Sequence, residues 1–178
     1  MGAGNRKGGK GAPVRLPRVE DMTATDILHA LKRWWPNAAF VPELTTWDDE
    51  AIASEGFKRG EAEYRRIDAL MMEDKIRTAV EIKVDKADAA RETWAKTRPW
   101  RIITHRFLYA TPAGLIDRPP VQNGAGLVWV HEDGSVEWRV KCKMNTSAEP
   151  LPQLVIQRLA DRAAALWDER EASRHRVD

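Results

Sequence analysis

Sulfur ligands are almost missing from this chain. One cysteine, Cys142, stands among 178 residues. That excludes an intramolecular disulfide, a multi-cysteine zinc site and a cysteine-ligated cluster. The four histidines, His29, His105, His131 and His175, share no metal-ligand spacing, and no His-Glu-x-x-His run occurs. No apolar run approaches the roughly 18–20 residues of a membrane span, and the start of the chain lacks the apolar stretch of a signal peptide. Neither a membrane protein nor a Sec-secreted one is expected; a reducing cytoplasm suits the cysteine count. No serine nucleophile elbow is present. Cys142, read as part of a basic strand with Lys141 and Lys143, has no cue for a catalytic base nearby.

What is present starts with charge. Lys+Arg is 29 and Asp+Glu is 27. Arg6, Lys7, Lys10, Arg15 and Arg18 fall in residues 1–18 with no acid, so the rest of the chain carries more acid than base. Residues 1–18, with five Gly and two Pro, are expected to be a disordered basic tail that solubilises or touches phosphates. The run Gly4–Gly11 mimics a phosphate-binding loop. It has no Ser/Thr after its lysine and no strand before it, so no nucleotide site is assigned there. Residues 19–178 read as a single domain.

Local patterns give an element order. Thr23 with Asp26 forms a variant capping box for a helix over about 23–35, ended by Pro36. Residues 39–47 read as a strand, with Pro42 marking an edge or a kink. Residues 48–62 read as an acidic loop. Strands are expected at 63–72 and 76–84, a helix at 87–97 and a strand at 107–111. A hairpin is expected from 127–130 and 136–140 around Asp133-Gly134. Leu154, Val155, Leu159, Ala163 and Leu166 mark a last amphipathic helix, packed on the body or on a second copy; a homodimer is one expected assembly. This is an α/β pattern, with a mixed β-sheet flanked by helices.

The chemistry concentrates in the central hairpin. A two-residue turn at Asp74-Lys75 pairs Glu73 with Ile76, and the same register sets Asp68 opposite Glu81. Alternation then puts Ile67, Ala69, Met71, Thr78, Val80, Ile82 and Val84 on an apolar face. Arg66, Asp68, Leu70, Arg77, Ala79, Glu81 and Lys83 take the other. Two adjacent carboxylates repel unless one is protonated, a cation bridges them or solvent intervenes. Lys83 supplies one charge, and Mg²⁺ or Mn²⁺ favours such oxygens. A metal held by Asp68 and Glu81, with Lys83 beside its bound water, is the arrangement that phosphodiester hydrolysis needs. The bland counterpart is a solvated strand face with one salt bridge.

Asp68…Glu81-Ile82-Lys83 resembles the signature of the PD-(D/E)XK nuclease superfamily, whose restriction-endonuclease-like core runs αβββαβ; here the C-terminal hairpin and helix would be additions. Ile67 stands where that superfamily often has proline. Pro42-Glu43-Leu44, Arg65–Asp68, Val80–Lys83, His105–Pro112, Gly114-Leu115-Ile116 and Gly126-Leu127-Val128 together resemble the MmcB-like, DNA-repair-associated branch over residues 22–143. The resemblance implies a Mg²⁺- or Mn²⁺-dependent deoxyribonuclease acting in repair, recombination or phage DNA processing, with DNA as partner and a guiding protein unidentified. It implies metal ligation by Asp68, Glu81 and the main-chain carbonyl of Ile82. It further implies water activation by Lys83 and a second-metal or water role for Glu43. Arg66, His105, Arg106, Lys141 and Lys143 are weaker candidates for DNA contact. The alternative is an inactive DNA-binding or protein-interaction module that keeps the fold.

Eight tryptophans are many for this length. Most are expected to fill core or interface, and Trp129 and Trp138 are expected to be direct cross-strand neighbours.

Overall fold

Two left-handed residues close the central hairpin. In the computed structural model, which describes residues 17–48 and 64–174, Asp74 has φ 49° and Lys75 φ 66°. Positive φ at both central positions suits the right-handed twist of the strands it joins. Those strands are β2 (Tyr64–Glu73) and β3 (Ile76–Ile82), and Glu73 pairs with Ile76 as expected. Residues 1–16 and most of the acidic segment at 48–62 lie outside the described residues.

Before the hairpin, α1 (Ala24–Trp34) begins at the expected capping box, with Thr23 and Asp26 satisfying each other's backbone N–H groups. β1 (Ala39–Trp47) carries Pro42 and is an edge strand, where a missing N–H breaks no ladder bond on the outer side. The expected helix at 87–97 is instead two. Asp85 caps α2 (Lys86–Ala90) and Thr93 caps α3 (Trp94–Ile103), each accepting a hydrogen bond from the backbone N–H three residues on. The N-cap oxygens restart the helix, and α3 continues through Pro99.

The chain then forms β4 (Arg106–Pro112), β5 (Gly126–Val130), β6 (Val136–Val140) and α4 (Gln153–Arg174). One six-stranded sheet runs β1-β2-β3-β4-β5-β6. β3, β4 and β5 are parallel neighbours, and the outer pairings are antiparallel. The fold is α/β with a mixed sheet flanked by helices, as the sequence predicts. No helix among the described residues is long and apolar enough to cross a membrane.

Each face of the sheet carries its own core. Ala69, Met71, Val80, Ile82, Leu108 and Val128 pack with Ile27, Ala30 and Leu31 of α1. Leu70, Ala79, Tyr109 and Leu127 pack with Trp100 and Ile103 of α3 and Val155 of α4. At roughly 25 cal/mol per Å² of apolar surface, these two layers are the main stabilising term.

Four expectations are corrected. Ile67 does not share a face with Ala69 and Met71; it packs with Leu70 and Leu44 on the α3 side. The alternation slips by one residue where β2 faces Pro42 and Glu43, and Glu43 has φ 51°. Val84 is exposed beyond the end of β3 rather than in the core. Trp129 and Trp138 are not partners: Trp129 faces Glu137, and Trp138 faces Val128. Residues 131–135 form a five-residue loop closed by His131 and Ser135, not a two-residue turn, and that shifts the register by one. Lys141, Cys142 and Lys143 lie past the end of β6, not in a strand. Cys142 is packed so close to Gly126 that a Cβ there would clash with its sulfur, so no larger residue fits at 126 without a shift.

Candidate active site

The regular β2–β3 ladder ends at Ala69 and Val80. One step further, the Asp68 carboxylate accepts the N–H of Ile82 at 2.6 Å, standing in for a ladder carbonyl. Asp68 is thereby tied to the backbone between Glu81 and Lys83. Lys83 Nζ lies 3.0 Å from Glu81, 3.2 Å from Asp88 and 2.8 Å from Glu92. The Lys83 side chain is 7% exposed and that of Glu92 3%. Glu81 and Lys83 line a cavity of about 220 Å³ with Arg66, Ile67, Glu92 and Lys96.

The electrostatics follow from burial and an excess of acid. Burial, then the charge of Asp68, pushes Glu81 up to about 7, against the opposing pull of Lys83. Burial also raises Asp68, in part offset by the Ile82 N–H, Lys83 and Arg66. Burial alone would lower Lys83, but Glu81 and Glu92 outweigh it and hold the ammonium above its usual range. Four carboxylates, Asp68, Glu81, Asp88 and Glu92, therefore act around one lysine.

Asp68, Glu81 and Lys83 come together as the sequence predicts; Glu43 does not join them. Its side chain is two-thirds exposed and lies 3.9 Å from Arg66, while its main-chain carbonyl accepts a hydrogen bond from Arg162. Glu43 is left-handed, with φ 51°, although the β1–β2 register runs unbroken on either side of it, from Pro42 opposite Ala69 to Leu44 opposite Ile67. Arg66 is exposed and answers Glu43, not Glu81. Among the described residues, no three His, Cys, Asp or Glu side chains are grouped to hold a metal ion by themselves. Such an ion would have Asp68 and Glu81 as its side-chain ligands, with the main-chain carbonyl of Ile82 as the third protein ligand that the resemblance implies. Two carboxylates suit Mg²⁺, which keeps water and substrate phosphate in its other positions. The surplus of negative charge at the pair fits a cation, and the N–H of Ile82 is already engaged by Asp68.

Asp88 and Glu92 escape a reading of the sequence alone. They reach Lys83 because the chain breaks between α2 and α3. The signals were the two caps, Asp85 and Thr93, which split one expected helix into two.

The weaker candidates scatter. His105 accepts the Arg77 N–H at Nδ1, 3.1 Å away, and burial, then Arg77 and Arg106, lower its pKa. His105, Arg106 and Lys143 line a different cavity. Lys141 is exposed and lines neither of these two cavities. Burial pushes the Cys142 thiol up to about 11, which makes it a poor nucleophile.

No protein-family model matches this chain, and no curated protein matches it. Among solved structures, it is similar to the SPO1766 protein of unknown function from Silicibacter pomeroyi. The TM-score is 0.52 at 17% identity, over 84% of this chain and 95% of that one. At that identity the likeness is one of fold.

Proposed function

We propose that the chain is a metal-dependent nuclease hydrolysing DNA phosphodiester bonds at Asp68, Glu81 and Lys83, on the pattern of the PD-(D/E)XK nucleases that its sequence resembles. The supporting observation is the docking of the Asp68 carboxylate onto Ile82 N–H at 2.6 Å. It sets a carboxylate from β2 beside Glu81 and Ile82 at the end of β3, with Lys83 one residue beyond. The α-β-β-β-α-β order from α1 to β4, with α2 and α3 as the second helical step, supports the same reading.

Each side chain has a role that follows from its surroundings. Asp68 and Glu81 are the pair that would hold Mg²⁺ or Mn²⁺, because both are partly desolvated and short of positive charge. Bound there, such an ion acidifies water and neutralises charge on a phosphate. Lys83 is held as an ammonium by Glu81 and Glu92 and donates hydrogen bonds at the cavity wall. With Glu81 drawn onto a bound cation, Lys83 would have a donor free to orient an attacking water or stabilise phosphate charge. Glu92 and Asp88 position Lys83. Repair, recombination or phage DNA processing is the setting the family resemblance supports. Cleavage of a labelled DNA panel by purified protein with Mn²⁺ tests the proposal. No metal-dependent product from nicked, branched, duplex or single-stranded DNA would overturn it.

A non-catalytic DNA-binding or interaction module on this fold is the second reading. One observation favours it: Lys83 is saturated by three carboxylates, so the cluster holds together without a metal. Calorimetric titration of Mn²⁺ separates the two. Binding that Asp68→Asn abolishes supports the nuclease, and no binding at millimolar metal supports the module.

A further inference from the structure

A cavity of about 300 Å³ opens between α3 and the segments at residues 123–124 and 143–145. Trp94, Arg101, His105, Arg106, Phe107 and Lys143 set its chemistry, and among the described residues no aspartate or glutamate lines it. Arg101 is only 9% exposed. Its guanidinium donates to the Thr97 hydroxyl at 3.0 Å and to the carbonyls of Asn123 and Val121 at 3.1 and 2.8 Å. These acceptors are neutral. Among the described residues no carboxylate forms an ion pair with Arg101. A buried cation so placed has no counter-charge in direct contact; the Glu92 carboxylate acts on it only from a distance.

Several other side chains in the lining are donors too. His105 spends its Nδ1 lone pair on the Arg77 N–H, so its neutral ring carries the proton on Nε2. Arg106 and Lys143 add two more cations. Trp94 is 43% exposed, and the Arg101 guanidinium lies 5.3 Å from its ring centre and 4.4 Å from that of Phe107. The wall is built in advance. Asn145 Nδ2 donates to the carbonyls of Arg101 and Thr104, and the N–H of Lys143 donates to Gly124. A preformed site spends little on ordering. Its size exceeds the need of an inorganic phosphate and falls at the small end of ligand sites. A cation-rich lining free of carboxylates, beside an exposed indole, matches a phosphate ester that carries a flat base.

We infer that this cavity binds a nucleotide, with its phosphate against Arg101, Arg106 and Lys143 and its base against Trp94. The nucleotide is either free or the end of a nucleic-acid strand. Phe107 lines both this cavity and the one that holds Glu81 and Lys83, so the two sites adjoin across a single residue. The inference needs neither Asp68 nor Glu81 and stands apart from the proposed metal chemistry.

Calorimetry on the full chain without divalent metal tests it. The probes are deoxyadenosine monophosphate, inorganic phosphate and a 5′-phosphorylated tetranucleotide. The monophosphate and the tetranucleotide saturate below about 1 mM. The double variant Arg106→Gln/Lys143→Gln, both partly or fully exposed, weakens them at least about tenfold with an unchanged circular dichroism spectrum. Trp94→Ala weakens the monophosphate and leaves inorganic phosphate as it was. Glu81→Gln leaves all three unchanged, whatever becomes of nuclease activity. Tenfold tighter tetranucleotide binding identifies a strand end as the ligand, and equal affinities identify the free nucleotide; either supports the inference. No saturation by the monophosphate near 1 mM, or unaltered affinity in the double variant, overturns it.

Discussion

The Asp68 carboxylate and the Ile82 amide are joined by a 2.6 Å hydrogen bond across the end of the β2–β3 ladder. A side chain here completes a sheet and, by the same contact, brings two carboxylates from neighbouring strands into one electrostatic unit. Structural and chemical roles of Asp68 can be separated by substitution.

Asp68→Ala leaves the Ile82 N–H without its acceptor and costs about 1–3 kcal/mol in urea unfolding. Asp68→Asn keeps an acceptor oxygen and stays near wild-type stability. Both lose Mn²⁺-dependent cleavage by roughly a hundredfold or more. Full activity in the Asn variant would remove Asp68 from the chemistry.

Glu81 links stability to pH. Its folded pKa, about 7, lies above the ordinary 4.5. Its share of stability is therefore fully present below about 4.5 and is lost as pH rises through about 7. Glu81→Gln, neutral throughout, does not follow that decline. The stability difference between wild type and variant, followed by urea unfolding without metal, should grow in the variant's favour from pH 4.5 to pH 8. A flat difference would show that Glu81 titrates normally.

Lys83 is the sole ammonium within ion-pair distance of Glu81 and Glu92 among the described residues. Lys83→Met strands these buried carboxylates and costs on the order of 3–5 kcal/mol at pH 8. The loss is smaller at pH 5, where Glu81 is protonated. Adding Glu92→Gln to Lys83→Met recovers part of it, as a double-mutant cycle would show.

The turn offers a change remote from the chemistry. Lys75 sits at φ 66°, a conformation glycine adopts without a Cβ penalty. Lys75→Gly turns Asp74-Lys75 into Asp-Gly and raises stability by about 0.5–1 kcal/mol, with cleavage rates unaltered.

How much was legible depended on how local each signal was. The Thr23 capping box and the Asp74-Lys75 turn involve neighbours in sequence, and both appear where expected. The turn then carried the β2–β3 register, because one residue of slip would exchange the faces. The Asp133-Gly134 hairpin shows the limit of the same logic. Gly134 does take a left-handed φ of 76°, but the loop holds five residues, so Trp138 meets Trp35 of the α1 C-cap at 5.9 Å instead of Trp129. Trp129 gives its indole N–H to the Ile116 carbonyl.

The amino-acid order was sufficient for the placing of the strands, the Thr23 cap, the central register and hence the meeting of residues 68, 81 and 83, since these rest on backbone geometry with a period of two or four residues. Assembly in space settled the rest. It excluded Glu43 through a kink in an edge strand, carried Ile67 to the opposite core, and drew Asp88 and Glu92 onto Lys83. Desolvation and charge proximity shift the affinity of a carboxyl for its proton, and both depend on distances between segments far apart along the chain.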